Sequence, residues 1–326
     1  FICRRYSNNF GINPMWILRN SFSVHSLIAV FNRKENCKNI ETYDFSTLYT
    51  SIPHRLLKSK ISWVITKAFQ RSKRKYISVS TYARWSKSPS KKNPHVNCRE
   101  LINLIRWLID NIFVVLGDKC FKQQIGIPMG TDCAPYLANL FLYSLEFQWI
   151  DKHRKAKHYS LLKKFMGCGR YIDDLFMINN DQSMMKHMSD IYPKELVLVP
   201  DTTIGQSVSF LDLKIIIKKC VIFTHIYDKR DGFDFPIVNF PVLSGNIPQS
   251  SSYGVFIGEL VRYARSCTYL EHFKERTILL LQKLLKQFFT LKKLKKSWFK
   301  FCNSHIFLIQ KYGSQVLNFH KEWKEK

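Results

Sequence analysis

The sequence predicts an α+β protein, on three observations. Short apolar, β-prone runs alternate with longer runs of helical period through residues 1–245. The stretch after Gly245 changes character, and helix patterns dominate to the end. With 326 residues, 46% of them hydrophobic, the chain can bury one or two substantial cores.

Each element follows from local pattern. "NPMWILRNSFSVHSLIAV" (Asn13 to Val30) has a helical pattern leading into the first strand. "IETYDFSTLYTSIPH" (Ile40 to His54) is a strand ending near Asp44, then a turn, with Pro53 stopping regular structure. Leu56 to Phe69 is helical, and the basic, polar Gln70 to His95 is expected to be a mobile loop or short hairpin. "RELINLIRWLIDNIFVV" (Arg99 to Val115) reads as one helix, Gly117-Asp118 as a turn, and "KCFKQQ" (Lys119 to Gln124) as a short strand. A helix runs from about Pro135 to Ile150, with Thr131 and Asp132 as candidate caps. A hairpin carrying Asp173 and Asp174 comes next, then a helix over Gln182 to Tyr192 and alternating strands in "SVSFLDLKIII" and "VIFTHIY". Beyond the Pro/Gly/Ser-rich "NFPVLSGNIPQSSSYG", Leu281, Leu284, Leu285, Phe288, Leu291 and Trp298 fall on one helical face, and Lys283, Lys286, Lys293 and Lys296 mostly lie elsewhere.

Charge and cysteine content narrow the function. Lys plus Arg is 51 against 24 for Asp plus Glu, a formal net charge of +27. Such an excess makes a polyanion the expected partner, nucleic acid before membrane. No apolar run reaches the roughly 18 residues of a membrane span. The nine cysteines are scattered, odd in number and without a C-x-x-C pair, which argues for reduced thiols in an intracellular protein and against a zinc module. His153 and His158 read as part of a solvated basic face. The start "FICRRYSNNFG" has no initiator Met and no signal-peptide pattern, so the chain reads as a piece of something longer.

Within this basic chain, "GRYIDDLFMIN" sets Asp173 and Asp174 side by side in an apolar, β-prone run. Desolvating two adjacent carboxylates is costly, unless they sit in a simple turn or hold a divalent cation. Asp44 also sits at a strand end, and adjacent strands would bring it close to Asp173, with Asp174 nearby. Phosphoryl transfer to a polynucleotide needs such carboxylates to hold two Mg²⁺ ions. Between the two stretches lies "QQIGIPMGTDCAPYLANLFLYSLE", where Gly126 and Gly130 bracket Pro128 in a loop of little side-chain bulk before a helix.

In this order, "YDFSTLYTSIPH", "GIPMGTDCAPYLANLFLYSLE" and "RYIDDL" resemble motifs A, B and C of reverse transcriptases. Their detail resembles the Penelope-like retroelement branch, and "SFLDLKI", "IYDKRDGFDFPIVNFP" and "YGVFIGELVRYARSC" extend the likeness over almost the whole chain. The resemblance implies a right-hand polymerase fold with a ferredoxin-like palm and a helical, basic thumb. On this reading residues 1–39 are a residual fingers and palm lead-in, 40–245 the palm with a basic insertion at about 70–98, and 246–326 the thumb with a basic C-terminal segment. Most of the fingers would be missing. The implied activity is RNA-directed DNA synthesis from a primer 3′-hydroxyl, with an RNA template, a DNA primer, dNTPs and two Mg²⁺ ions for which Mn²⁺ can substitute.

The resemblance also assigns residues. Asp44 and Asp173 would be the principal metal ligands and catalytic acids, supported by Asp174. Tyr49 would collide with a ribose 2′-hydroxyl and so favour deoxynucleotides. Phe45, Ser46, Thr47 and Leu48 would offer backbone N–H groups to the triphosphate. Gly126, Pro128, Met129 and Gly130 would contact the templating base and nucleotide, Met129 by packing alone where retroviral relatives carry Gln. Tyr171 would lie against the primer end, and Leu211, Asp212 and Leu213 resemble the primer grip. The "YGVFIG" run (Tyr253 to Gly258) has the wrong spacing for a GIY-YIG nuclease. The expected setting is intracellular and nuclear. The alternative is a truncated, non-catalytic retroelement relic that only binds nucleic acid. A telomerase or an RNA-dependent RNA polymerase is a further rival, though an RNA-copying enzyme more often has glycine where Ile172 stands and a polar residue in place of Tyr49.

Overall fold

The computed structural model describes residues 16–34, 36–201, 207–235, 237 and 239–323. The opening "FICRRYSNNFG" and the first residues of the lead-in helix pattern lie outside them. In chain order the elements are α1 (Ser21–Asn32), β1 (Ile40–Phe45), α2 (Leu48–Ser51), α3 (His54–Ser72), β2 (Tyr76–Val79), β3 (Ala83–Ser86), β4 (His95–Asn97) and α4 (Cys98–Asp110). Next come β5 (Phe113–Leu116), β6 (Lys119–Lys122), α5 (Ala134–Lys155), α6 (Tyr159–Lys164), β7 (Cys168–Tyr171), β8 (Asp174–Ile178), α7 (Gln182–Ile191) and β9 (Leu198–Pro200). The remainder is β10 (Ser207–Phe210), β11 (Leu213–Lys218), β12 (Val221–Ile226), α8 (Gln249–Ser266), α9 (Leu270–Leu285), α10 (Leu291–Ser304) and α11 (Phe307–Tyr312).

The chain divides into two compact units, one of residues 1–18 and 41–203, the other of 19–40 and 204–326. The first is built on a four-stranded sheet in the order β7-β8-β1-β9. The succession β1, α5, β7, β8, α7, β9 is β-α-β-β-α-β, a ferredoxin-like arrangement. Helix α5 is apolar almost all round, as "LANLFLYSLE" requires of a central helix, and Leu137, Ala138, Phe141, Leu142 and Leu145 are buried. It packs against α3, which contributes Leu57, Ile61, Val64 and Ala68 to the same core. Alternation is weak in β8 because Leu175 to Ile178 are all buried.

The second unit pairs the sheet β10-β11-β12 with α1 and α8 to α11. Its core gathers Phe256, Leu260, Phe273, Leu284, Leu294, Trp298 and Phe301. The six residues from Tyr253 to Gly258 lie inside α8.

Several expectations are corrected. The compact units part near Thr203, well before the composition change near Gly245: the sheet β10-β11-β12 belongs to the second unit, where β12 packs with α8 and α9. Helix α1, expected to lead into the first sheet, packs on β12 instead; Asn32 bridges to Ile222, its amide donating to the carbonyl and its oxygen accepting from the N–H. The basic stretch after Gln70, expected as a mobile loop or short hairpin, contains the hairpin β2–β3, which β4 extends into a three-stranded sheet, anchored where Phe69 meets Trp85 edge-on. The run from Arg99 to Val115 breaks after Asp110. A capping box of Asn97 and Glu100 starts α4, while "FVV" belongs to the hairpin β5–β6, where β-branched residues pair across strands. "SVSFLDLKIII" is two strands around a turn at Leu211-Asp212. Helix α5 starts from Cys133 with no side-chain cap; Thr131 serves through its backbone carbonyl, which accepts from Ala134 N at 3.0 Å. The Leu281–Trp298 face is split between α9 and α10, and Phe288 takes a left-handed φ of 66° in the connection and is exposed.

The second unit holds an acid that senses pH. Asp228 is almost fully buried, and burial acts to raise its pKa, but hydrogen bonds from Arg230 and the charge of Arg276 outweigh it and hold the carboxyl at about 2. A carboxyl depressed from 3.8 adds stability above its unfolded pKa and loses it as pH falls toward the folded value. Urea unfolding should therefore show about 2 kcal/mol lost between about pH 5 and about pH 2 through this group. Asp228→Asn should be less stable at neutral pH and flatter over that range.

Candidate active site

The first acid and the acidic doublet meet in the sheet. Strand β1 lies beside β8, and Phe45 N, one residue past Asp44, donates to Asp173 O at 3.2 Å. Asp44 is half-buried in a strand whose other five residues are buried. Tyr171 and Asp174 pair across β7 and β8, leaving Ile172 and Asp173 as a two-residue turn. Ile172 has φ 55°. A first central residue with positive φ is a glycine position in such turns, and a β-branched side chain there is under strain of about 1–3 kcal/mol. Asp173 and Asp174 are both half-buried.

Tyr49 stands close to the same turn. Its phenol pKa is raised, first by burial and then by the charge of Asp173 and by Tyr171. It lies on the single helical turn α2, directly after exposed Ser46 and Thr47. Leu48 and Phe45 are core residues, and Phe45 meets Tyr192 edge-on at 4.8 Å. The Phe45 N–H is engaged by Asp173 O, so the expectation that it faces a triphosphate is corrected.

Gly126 carries the loop against this turn. Ile127 N donates to Tyr49 O at 2.6 Å, Gly126 N to Ile52 O at 2.9 Å, and His54 Nε2 to Gly126 O at 2.7 Å. Gly126 has φ 83°, and a Cβ there would stand 2.5 Å from Tyr49 O and 2.8 Å from Thr50 Cα. Pro128 is half-buried, whereas Met129 and Gly130 are exposed, with Met129 at 71%. The structure thus gathers Asp44, Asp173, Asp174, Tyr171, Tyr49 and the Gly126 loop in one unit. Leu211, Asp212 and Leu213 belong to the other, in a hairpin where Leu211 has φ 56° and Asp212 accepts from Arg262 at 3.2 Å.

Three residues of this site escape a motif reading: Arg170, Glu146 and Asn139. The buried Arg170 donates to Glu146, to Asn139 and to the carbonyl of Ile172. A signal was present, since one cation in "GRYIDDLFMI" and one anion in "LFLYSLEFQWI" each interrupt an apolar run, and buried charges of opposite sign need one another.

The donor chemistry suits a hard divalent ion. Among the described residues no three His, Cys, Asp or Glu side chains stand grouped as a ligand set. Mg²⁺ takes one or two protein carboxylates and completes its octahedron with water and substrate phosphates; Asp44 and Asp173 are the carboxylates that would serve such an ion.

The sheet order and the β-α-β-β-α-β succession define a ferredoxin-like α+β fold in the first unit, with the acid-bearing turn and the Gly126 loop carried on it. The chain is similar in structure to telomerase from Candida albicans in complex with the TWJ fragment of telomeric RNA, with TM-score 0.61 and 15% identity over 98% of this chain and 54% of that one. Telomerase from Candida tropicalis with the TWJ fragment gives TM-score 0.50 and 13% identity, covering 98% of this chain and 52% of that one. The chain thus spans about half the length of these telomerase chains, and at such identity the likeness is one of fold. No protein-family model matches the sequence, and no curated protein matches it.

The close approach at Gly126 can be tested by substitution. Gly126→Ala should cost about 2 kcal/mol or more, through the left-handed φ and the collision with the Tyr49 turn. Gly130→Ala, with nothing within 4 Å of the added carbon, should leave the thermal midpoint nearly unchanged.

Proposed function

We propose that this chain is the polymerase portion of an RNA-directed DNA polymerase of Penelope-like retroelement type, extending a primer 3′-hydroxyl with dNTPs on an RNA template. The observation that supports it best is the hydrogen bond from Phe45 to Asp173, which makes neighbours of the two segments that carry the acids. Asp44 and Asp173 would hold Mg²⁺, or Mn²⁺ in its place, with Asp174 as support; the bound ions would lower the pKa of the attacking hydroxyl and steady the departing pyrophosphate.

The chain's own groups do the rest. Ser46 and Thr47 are exposed on the turn after β1, where their backbone can meet the triphosphate. Tyr49 sits within the field of Asp173, and in this proposal its ring would bound the side on which an incoming sugar lies. The Gly126 loop seats that turn, and exposed Met129 offers an apolar surface to a base. In the second unit no Asp or Glu occurs between Glu275 and Glu322, while Arg276 and nine lysines do. A surface of that composition suits a phosphate backbone, with affinity that falls steeply as salt rises. An intracellular, nuclear setting belongs to the same proposal.

Primer extension tests the reading. Asp173→Asn should abolish extension of a primed RNA template in Mg²⁺ while leaving duplex binding nearly intact. A wild-type chain that binds duplex but extends nothing in Mg²⁺ or Mn²⁺ would establish the relic instead.

The sugar gate makes a separate expectation. Tyr49→Ala should admit ribonucleotides, measured as a rise in incorporation of rNTP relative to dNTP; unchanged selectivity would remove Tyr49 from that role.

A further inference from the structure

We infer that Arg170 is a positioning residue, clamped by Glu146, that holds the turn presenting Asp173 in its left-handed form. Its consequence for catalysis rests on the polymerase reading; its geometry does not. Arg170 is on β7 with its side chain wholly buried. Nε and Nη2 donate to the two carboxylate oxygens of Glu146 on α5, at 2.5 and 3.0 Å. Nη1 donates to Asn139 Oδ1 at 2.9 Å and to Ile172 O at 2.8 Å. The planar fork is thus fixed on one side by α5 and delivers a charge-assisted bond to the peptide joining Ile172 to Asp173.

That peptide is where the local sequence and the fold disagree. Ile172 resists a positive φ, and nothing in the two-residue turn itself enforces it. If Ile172 relaxed to negative φ, the Ile172–Asp173 peptide would rotate, and Asp173 O would leave the N–H of Phe45. Tyr192 closes the arrangement, since its hydroxyl donates to Glu146 Oε1 at 2.9 Å while its ring packs on Phe45. One guanidinium therefore links α5, the acid-bearing turn and, through Tyr192, the strand that carries Asp44. A buried ion pair contributes little stability compared with a packed apolar pair, so retaining one here points to geometry.

The test compares Arg170→Lys, Ile172→Gly and their combination, with amide exchange in the metal-free protein as the primary readout. Arg170→Lys should speed exchange of the Phe45 amide about tenfold or more while amides in the middle of α5 stay protected. Mn²⁺ affinity and kcat on a primed RNA template should fall about 10–100-fold, the usual range for outer-shell groups, with KM for dNTP little changed. Adding Ile172→Gly should restore much of each, because glycine takes the left-handed form unaided. If Arg170→Lys does not fold, Glu146→Gln, which weakens the clamp, carries the same expectation in smaller measure. Wild-type protection of Phe45 in the variant, uniform acceleration of all amides, or a double variant no better than Arg170→Lys would overturn the inference. A wild-type chain without extension activity would refute the polymerase reading, and Phe45 exchange would still decide the role of Arg170.

Discussion

A guanidinium without access to water must find acceptors inside the protein, and Arg170 finds them on α5 and on the turn before Asp173. Desolvating Arg170 and Glu146 is tolerable only because both carboxylate oxygens are engaged and the remaining donors reach Asn139 and Ile172. Glu146 and Asn139 lie on α5, 24 and 31 residues before Arg170, so the pair can form only when the helix and hairpin are already in register. The strained φ of Ile172, the bond from Phe45 to Asp173 and the approach of Tyr49 to that turn all presuppose this register.

Helix α5 contributes at its N-terminal approach and along its body. Its N-terminal approach is the Gly126 loop, hydrogen-bonded to the Tyr49 turn, and its body carries Asn139 and Glu146. Loop and acid-bearing turn are therefore attached to one apolar helix that packs against α3. The chemistry proposed here needs carboxylates, a nucleotide-side loop and a sugar-facing ring held at fixed separations, and a central helix that is buried nearly all round is a suitable mount. The few acids of a strongly basic chain are thus used sparingly. Glu146 neutralises a buried cation, while Asp44, Asp173 and Asp174 remain half-buried near exposed backbone.

Helix α3 and the core of α5 were legible because their apolar positions recur at helical spacing over many residues. The hairpin around Asp173 was legible because its apolar strands flank two acids. Shorter elements were not. "FVV" continues a helical pattern by composition, and only cross-strand pairing with β6 makes it a strand. The turn at Leu211-Asp212 has no glycine or proline, so "SVSFLDLKIII" looks continuous until Phe210 pairs with Leu213. The division between compact units was hidden for a related reason. Composition changes near Gly245, but β12 packs with the later helices and Ile226 joins their core, and burial is a property of partners rather than of the segment.

What this sequence determined by itself was an inventory: three carboxylates at strand ends, a low-bulk glycine loop and a large excess of cations in one chain. Residue type carries that information directly, because charge, bulk and φ tolerance belong to the side chain. Only the tertiary structure decided which groups share a space. Asp44 and Asp173, 129 positions apart, became neighbours through strand order, and Arg170 became the support of a turn through a helix partner 24 residues away. Those relations depend on how apolar surfaces settle against one another over the whole unit, and no local stretch contains them.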